Sequence, residues 1–358
     1  MNRRIGEIRK LLEEKDFDSI LIKSKTNKKY INALTGSGVK VLITKNEVYE
    51  IMDGRYVNEA KAYKNDFIII EHSQGNDYIQ EINKIIKAKG LKNIAVEGNQ
   101  ILASEYIKMK DLGFNVKLLK DELEYIRRIK DENEISLVRK ACEITDYIFN
   151  EALKEIKIGM KEYELGAYIQ YLALKNGASA MAFDTIIVSG VRGSMPHGRP
   201  SAKEFQYGEA ITIDFGIVYN GYQSDMTRTV FIGEPHGEIK KIYDVVKSAQ
   251  ELGVKSIKKG IKAKEVDSIV RNYITEQGYG EYFTHGLGHG MGIGDGEFPV
   301  LNAKSETILQ DGMIMSCEPG IYVPNVGGVR IEDDVVIENG IGVPLNKTTK
   351  EYLVIEGK

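Results

Sequence analysis

The sequence predicts a mixed α/β (α+β) protein of two domains: an N-terminal α/β unit over residues 1–122 and a duplicated, pseudo-twofold domain over residues 123–358. Three observations carry that prediction. The chain, at 358 residues, is longer than a single hydrophobic core usually serves. Its first 120 or so residues alternate short apolar runs with amphipathic helical patterns. The rest contains an internal repeat at an offset of 101 residues.

In the first unit, apolar runs predict strands at 19–22, 39–44, 48–52, 67–70, 94–96 and 116–119, with a helical pattern at 77–89 between them. The charged stretch KDELEYIRRIKDENEISLVRK follows and predicts one long helix running to about Lys157. The domain boundary is placed at its start, near residues 120–128. Beyond it, IKIGMKEYELGAYI from Ile156 aligns with IKKGIKAKEVDSIV from Ile257, and Gly177 with Gly278 at the same offset. GEAITIDFGI from Gly208 then aligns with GMIMSCEPGI from Gly312, which sets Asp214 against Glu318. Two related halves, each placing an acid at the same point, predict a site on the pseudo-symmetry axis.

The segment AITIDFGIVYNGYQSDMTRTVFIG reads as a hairpin turning at Asn220-Gly221. If Tyr219 pairs with Tyr222, Asp214 lies opposite Thr227 and Asp225 opposite Gly216. The two carboxylates then share a face, while Ile211, Ile213, Phe215 and Ile217 take the other. Close carboxylates repel unless one is protonated or a cation lies between them. On this hairpin alone, two unrelated solvent-facing acids explain the pattern equally well. Glu318, in the apolar run IMSCEPGIY, and Glu332, in GGVRIEDDVVIENG, tip the balance. Carboxylates in otherwise buried strands need partners.

Between these acids lies HGLGHGMGIGDG, with six glycines in eleven residues from Gly286 to Gly296. That density excludes a helical H-x-x-x-H zinc box, and the alternating series does not fit G-x-G-x-x-G. It predicts an extended backbone which something must approach closely. One imidazole with four carboxylates makes an oxygen-rich donor set suited to Mn²⁺, Co²⁺ or Zn²⁺ in a paired-metal site. Cys317 alternates away from Glu318 and reads as a core residue.

Composition removes other classes. Hydrophobic content of 42% and charged content of 28% belong to an ordinary globular protein. A formal net charge of -3, and 20 tyrosines with no basic pattern around them, give no nucleic-acid or anionic-membrane footprint. No apolar run nears the roughly 20 residues of a membrane span, and the basic N-terminus has no apolar stretch of a signal peptide. Cys142 and Cys317 are too few for a disulfide framework, so the expected location is cytoplasmic. No G-x-S-x-G, Walker loop or H-E-x-x-H is present.

The series TIDFG, SDMTRT, HGLGHG, SCEPGIY and GVRIEDD, together with RRIGEIRKLL, MDGRY and IKDENEISLVRKA, resembles the pita-bread metallopeptidases over nearly the whole chain. Within them it is most similar to the Xaa-Pro dipeptidase (prolidase) and aminopeptidase P branch. The gaps of 11, 64, 29 and 14 residues between Asp214, Asp225, His289, Glu318 and Glu332 are prolidase-like. The resemblance implies a creatinase/prolidase-like N-terminal domain that serves dimerisation and covers the active site, and a pita-bread catalytic domain. It also implies a homodimer acting on a short peptide, and those five residues as ligands of two divalent ions. Mn²⁺ is placed first among them, with Co²⁺, Zn²⁺ or Fe²⁺ also suited. Asp225 and Glu332 would bridge the ions, Asp214 would bind one, and His289 and Glu318 the other. His197 corresponds to a substrate-binding histidine, His285 to an outer histidine and Arg330 to a supporting arginine. Two such cations about 3.5–4 Å apart lower the pKa of a shared water, with Glu318 placed to move its proton.

One departure stands out. Gly296 occupies the position of a family active-site histidine, seven residues after His289. Three readings follow: a working Xaa-Pro peptidase, the same metal site retuned to another small substrate, or a metal-retaining binding protein.

Overall fold

The computed structural model describes residues 3–62, 66–73, 77–235, 237–294 and 297–356. The chain divides into two compact units, Met1–Arg127 and Arg128–Lys358.

In the first unit the apolar runs form the strands β1 (Ser19–Ile22), β2 (Lys40–Thr44), β3 (Val48–Met52), β4 (Ile68–Glu71), β5 (Asn93–Glu97) and β6 (Asn115–Leu119). They make one sheet in the order β4-β3-β2-β1-β5-β6. β1–β2 and β2–β3 are antiparallel, and the other pairs are parallel. Around it lie α1 (Arg3–Glu14), α2 (Lys25–Tyr30), α3 (Val57–Ala62), α4 (Tyr78–Lys89), α5 (Ala103–Asp111) and α6 (Glu122–Arg127). The helix α4 begins where the Asp77 carboxylate accepts from the Ile79 and Gln80 amides, and ends at Gly90 with φ 66°. Its Ile79, Ile82 and Ile86 pack on Leu21, Leu42, Ile51, Ile94 and Val96 of the sheet.

The charged stretch at the boundary forms two helices, not the single one expected. After α6, α7 (Glu132–Leu153) starts afresh. Asp131 adopts an extended backbone and closes a capping box with Glu134, each side chain taking the other's amide. Just before it, the Lys130 amide donates to Gly312 O, so the chain is drawn into a β-bridge and cannot be helical there.

The second unit pairs α7 with α8 (Glu162–Lys175), and α9 (Ile239–Ser256) with α10 (Ala263–Glu276). α8 and α10 start and end 101 residues apart, the offset of the sequence repeat. The first helix pair packs on a sheet that includes β8 (Ile186–Ser189), β9 (Glu209–Phe215) and β12 (Met226–Ile232). Ile148, Phe149, Leu165 and Ile169 meet Ile211, Ile213, Phe215 and Val230 there. The second helix pair packs on a sheet that includes β13 (Gly288–Gly290), β14 (Glu297–Leu301), β15 (Ile314–Cys317) and β18 (Asp333–Glu338). In that core Val246, Val266 and Val270 meet Met313, Met315 and Val335. Cys317 is fully buried in the same core, and Cys142 is likewise a buried free thiol.

Two antiparallel ladders thus end at the same place. The β9–β12 register sets Asp214 opposite Thr227, and β10 (Ile217–Tyr219) meets β11 (Tyr222–Gln223) with Tyr219 opposite Tyr222, as the hairpin requires. The Asp225–Gly216 pairing does not form. The ladder stops at Met226–Phe215, and a Cβ on Gly216 would stand 1.9 Å from Ser224 O, so the strands cross where only glycine fits. In the other half the last β15–β18 pair is Cys317–Asp333, and Glu318 and Glu332 lie one step beyond it.

Candidate metal centre

Each acid is set by backbone geometry before any partner is considered. The Asp225 amide, freed by the broken ladder, donates to Asp334 Oδ2 at 2.8 Å. The Glu332 amide donates to Thr227 O at 3.1 Å, crossing from one half to the other. Thr227 Oγ1 donates to Glu332 Oε2 at 2.6 Å, and Ser316 Oγ donates to Glu318 Oε1 at 3.0 Å while accepting from the His289 amide. One atom each from Asp225, His289 and Glu332 falls within 4.8 Å of the others. His289 Nε2 lies 3.6 Å from Asp225 Oδ2 and 3.5 Å from Glu318 Oε1. Asp214 is held by Arg330 Nη2 on Oδ2.

The electrostatics are those of a site short of positive charge. Burial, then the neighbouring charges of Glu332 and Asp214, push the Asp225 carboxyl far above the usual carboxylate range. Burial and Glu318 do the same to Glu332, and burial raises Asp214 despite Arg330. Behind them burial lifts Asp334 to about 7. Asp214 Oδ1 and Glu332 Oε1 are buried without any hydrogen-bond partner. Two orphaned carboxylate oxygens, each costly if left so, beside an imidazole in an oxygen-rich set are what a divalent cation satisfies. The residues fit such an ion.

Arg330 belongs to a second chain of bonds. Its Nε donates to Thr227 Oγ1 and its Nη1 to Tyr322 OH at 2.8 Å. Tyr322 OH is 2.9 Å from His285 Nε2, and His285 Nδ1 is 2.8 Å from Gly286 O. A carbonyl only accepts, so Nδ1 carries the proton and Nε2 accepts from Tyr322. Burial holds His285 below its ordinary pKa, in keeping with that neutral ring, and lifts Tyr322 to about 12. The outer histidine, His285, sits inside this network. His197 lies on an exposed loop after the turn of 3-10 helix at Gly190–Ser194.

All of these side chains except Thr227, Ser316 and Asp334 line one cleft of about 780 Å³, with Phe183, Ile186, Met291 and Val300 as apolar walls. Gly296 lies outside the described residues. Of the series, Gly286, Gly288, Gly290 and Gly294 line the cleft, and at the first three what approaches closely is neighbouring backbone. A Cβ at Gly286 would stand 2.8 Å from Leu301 O, at Gly288 2.1 Å from Ser316 O, and at Gly290 2.4–2.5 Å from the Glu297–Phe298 backbone. The space is taken by neighbouring strands. Gly288→Ala is therefore expected to push His289 away from Ser316, costing about 1–3 kcal/mol and lowering Tm by roughly 5 °C, with weaker metal uptake. Thermal unfolding and a metal titration check this, and unchanged values in both would refute it.

Tyr322, Thr227, Ser316 and Asp334 were not singled out from the sequence. Alternation could have found Thr227, two residues on from Asp225. Asp334 touches Asp225 only through strand packing between the halves. Arg228 was also missed. It is fully buried, pairs with Asp333 at 2.7 Å and donates to Thr348 O and Thr349 O, bracing the strand beside Glu332.

Comparison with known proteins places this geometry. Residues 136–339 match the model of metallopeptidase family M24, and residues 4–129 that of the creatinase/prolidase N-terminal domain. A Xaa-Pro dipeptidase of Pyrococcus horikoshii is 39% identical over 358 residues, covering 99% of both chains. The solved Xaa-Pro dipeptidase from Bacillus anthracis superposes with TM-score 0.93 at 36% identity, covering 99% of each chain. The X-Pro aminopeptidase from Thermotoga maritima gives TM-score 0.88 at 36% identity, covering 95% of this chain and 98% of that one.

Proposed function

Given that the chain belongs to metallopeptidase family M24, we propose that it hydrolyses the peptide bond between an N-terminal residue and proline, using divalent metal held by Asp214, Asp225, His289, Glu318 and Glu332. The observation that carries the assignment of these residues is the pair of buried, unpartnered oxygens, Asp214 Oδ1 and Glu332 Oε1, in a cleft with His289. A pair of cations there, with Mn²⁺ placed first, would supply Lewis-acid activation of water and of the scissile carbonyl.

The chain's own groups do the rest. Arg330 and Thr227 fix the orientations of Asp214 and Glu332. Glu318, steadied through Oε1 by Ser316, takes the attacking water's proton and returns it to the leaving proline nitrogen. His197, on the exposed loop lining the cleft, meets the developing oxyanion, and His285 holds Tyr322 and Arg330 in line from behind. A homodimer and a cytoplasmic location belong to the same reading. No helix among the described residues is long and apolar enough to cross a membrane.

The test is hydrolysis of Ala-Pro and Ala-Pro-Ala by protein loaded with Mn²⁺ or Co²⁺, beside a chelated control. Cleavage that chelation abolishes is the expected result, and the favoured length names the subclass. Metal uptake without cleavage of either peptide would overturn the substrate assignment, and activity appearing only in Gly296→His would mean a retuned site.

A further inference from the structure

The first residue of α8, Glu162, is fully buried and lies outside the lining of the cleft. Its Oε1 accepts from the Ser189 amide at 2.9 Å and from Ser189 Oγ at 3.0 Å. Its Oε2 accepts from the Ser201 amide at 3.0 Å and from Ser201 Oγ at 2.7 Å. Arg192 Nε pairs with Oε2 at 3.1 Å, and Arg192 Nη2 donates onward to Arg199 O at 2.7 Å. A buried carboxylate needs such donors, and among the described residues these all come from the two stems and first turn of one loop. That loop, 190–200, brings Pro196, His197 and Arg199 to the cleft.

The loop's other ties are local or exposed. Ser194 Oγ donates to Val191 O, and the Gly198 amide to Met195 O, both within the loop. Arg199 pairs with Asp184 where both side chains are largely exposed, which holds little. The second half of the domain is built in a comparable way. Asp267, on α10, is fully buried and pairs with Arg271. It accepts from the Leu287 amide at 3.0 Å, while Arg271 donates to Phe283 O at 2.9 Å and His285 O at 2.6 Å. In each half a buried carboxylate on the repeated helix, with an arginine reaching main-chain carbonyls, pins the segment that brings a histidine to the cleft.

We propose that Glu162 is the positioning residue for His197, fixing the imidazole at the cleft through Ser189, Arg192 and Ser201. This rests on the peptidase reading above, in which His197 meets the developing oxyanion. Misplacing a reacting group by about 1 Å can cost on the order of 10² in rate, so a clamp outside the cleft can govern turnover.

The experiment compares wild type, Glu162→Gln, Arg192→Gln, Arg192→Lys, His197→Ala and the double variants of His197→Ala with each glutamine change, all loaded with Mn²⁺. Steady-state kinetics use Ala-Pro, and hydrogen exchange reads the amides of residues 190–199. Glutamine keeps the size of Glu162 but turns an NH2 towards a donor, so one stem loses its acceptor. Glu162→Gln should lower kcat by about 10- to 100-fold, with KM and Mn²⁺ uptake little changed and exchange over 190–199 faster. In the His197→Ala background the same change should alter kcat by less than about twofold, because the two residues act as a unit. Arg192→Gln, nearer solvent, should act in the same direction with a smaller loss, and Arg192→Lys should fall between it and wild type. Its cycle with His197→Ala decides the matter if Glu162→Gln fails to fold. Additive losses in the double variants, or exchange over 190–199 no faster than in wild type, would overturn the assignment. A wild type that cleaves nothing would count against the peptidase reading, and exchange alone would then decide whether Glu162 holds the His197 loop.

Discussion

Asp225→Asn is expected to lower kcat/KM by at least about 10³ and to weaken metal uptake, while leaving the metal-free protein no less stable than its parent. The first part follows from position. Asp225 is one of the three residues whose donor atoms converge, and it sits one step beyond the end of the β9–β12 ladder. Loss of one transition-state donor costs about 10²–10³, and loss of a carboxylate shared by the cluster should cost more. The second part follows from charge. Burial and the charges of Glu332 and Asp214 raise the Asp225 carboxyl well above its usual range. Without metal its ionised form is therefore a liability. Asparagine keeps the shape and leaves the main-chain bond to Asp334 untouched. Activity assays, metal titration and melting of chelated protein check the three parts. Activity within tenfold of wild type, or collapse of the chelated variant's Tm, would sink the account.

Removing the metal should make stability fall as pH rises from about 5 to 8. Asp225, Glu332 and Asp214 have raised folded pKa values, each through burial first. Unfolded, they shed their protons near pH 4. Above that, the folded state binds more protons than the unfolded one, so its stability declines with pH until the raised values are passed. His285, lowered by burial, acts in the opposite sense below about pH 6.5, one group against several raised carboxyls that include Asp334 at about 7. Carboxyls lowered by ion pairs, such as Asp333, have delivered their full stabilisation by pH 5 and add no slope. With metal bound the same ligands must be ionised, so acid expels the ion and the dependence reverses. The Tm gap between loaded and chelated protein should widen with pH. At saturating metal it should approach about 10 °C, from roughly 4 kcal/mol of linkage at about 2–4 °C per kcal/mol. A gap that is constant or narrows between pH 5 and 8 would contradict this.

Much was legible before any coordinates. Strand alternation placed Ile211, Ile213, Phe215 and Ile217 together in one core, and Asn220-Gly221 marked the turn. The repeat announced the second helix pair, because homologous halves keep the same local periods. The ordered acids and histidines identified the family, since each motif lies within one strand or turn. Less legible was the helix break at residues 128–131, which depends on Lys130 being drawn to Gly312 O. The glycine series was visible, but its cause was not. The strands that exclude a Cβ at Gly288 and Gly290 come from Ser316 and Glu297–Phe298, distant in sequence.

The sequence by itself brought forward Asp214, Asp225, His289, Glu318 and Glu332 as candidate ligands and marked the strand runs that carry or adjoin them, because alternation and turn signals act over a few residues. Only the tertiary structure decided how far the acids are desolvated, which oxygens are left without partners, and that Tyr322, Thr227 and Asp334 complete the network. Those outcomes depend on where two half-domains meet, and burial and Coulomb energy depend on distances through space that no local pattern encodes.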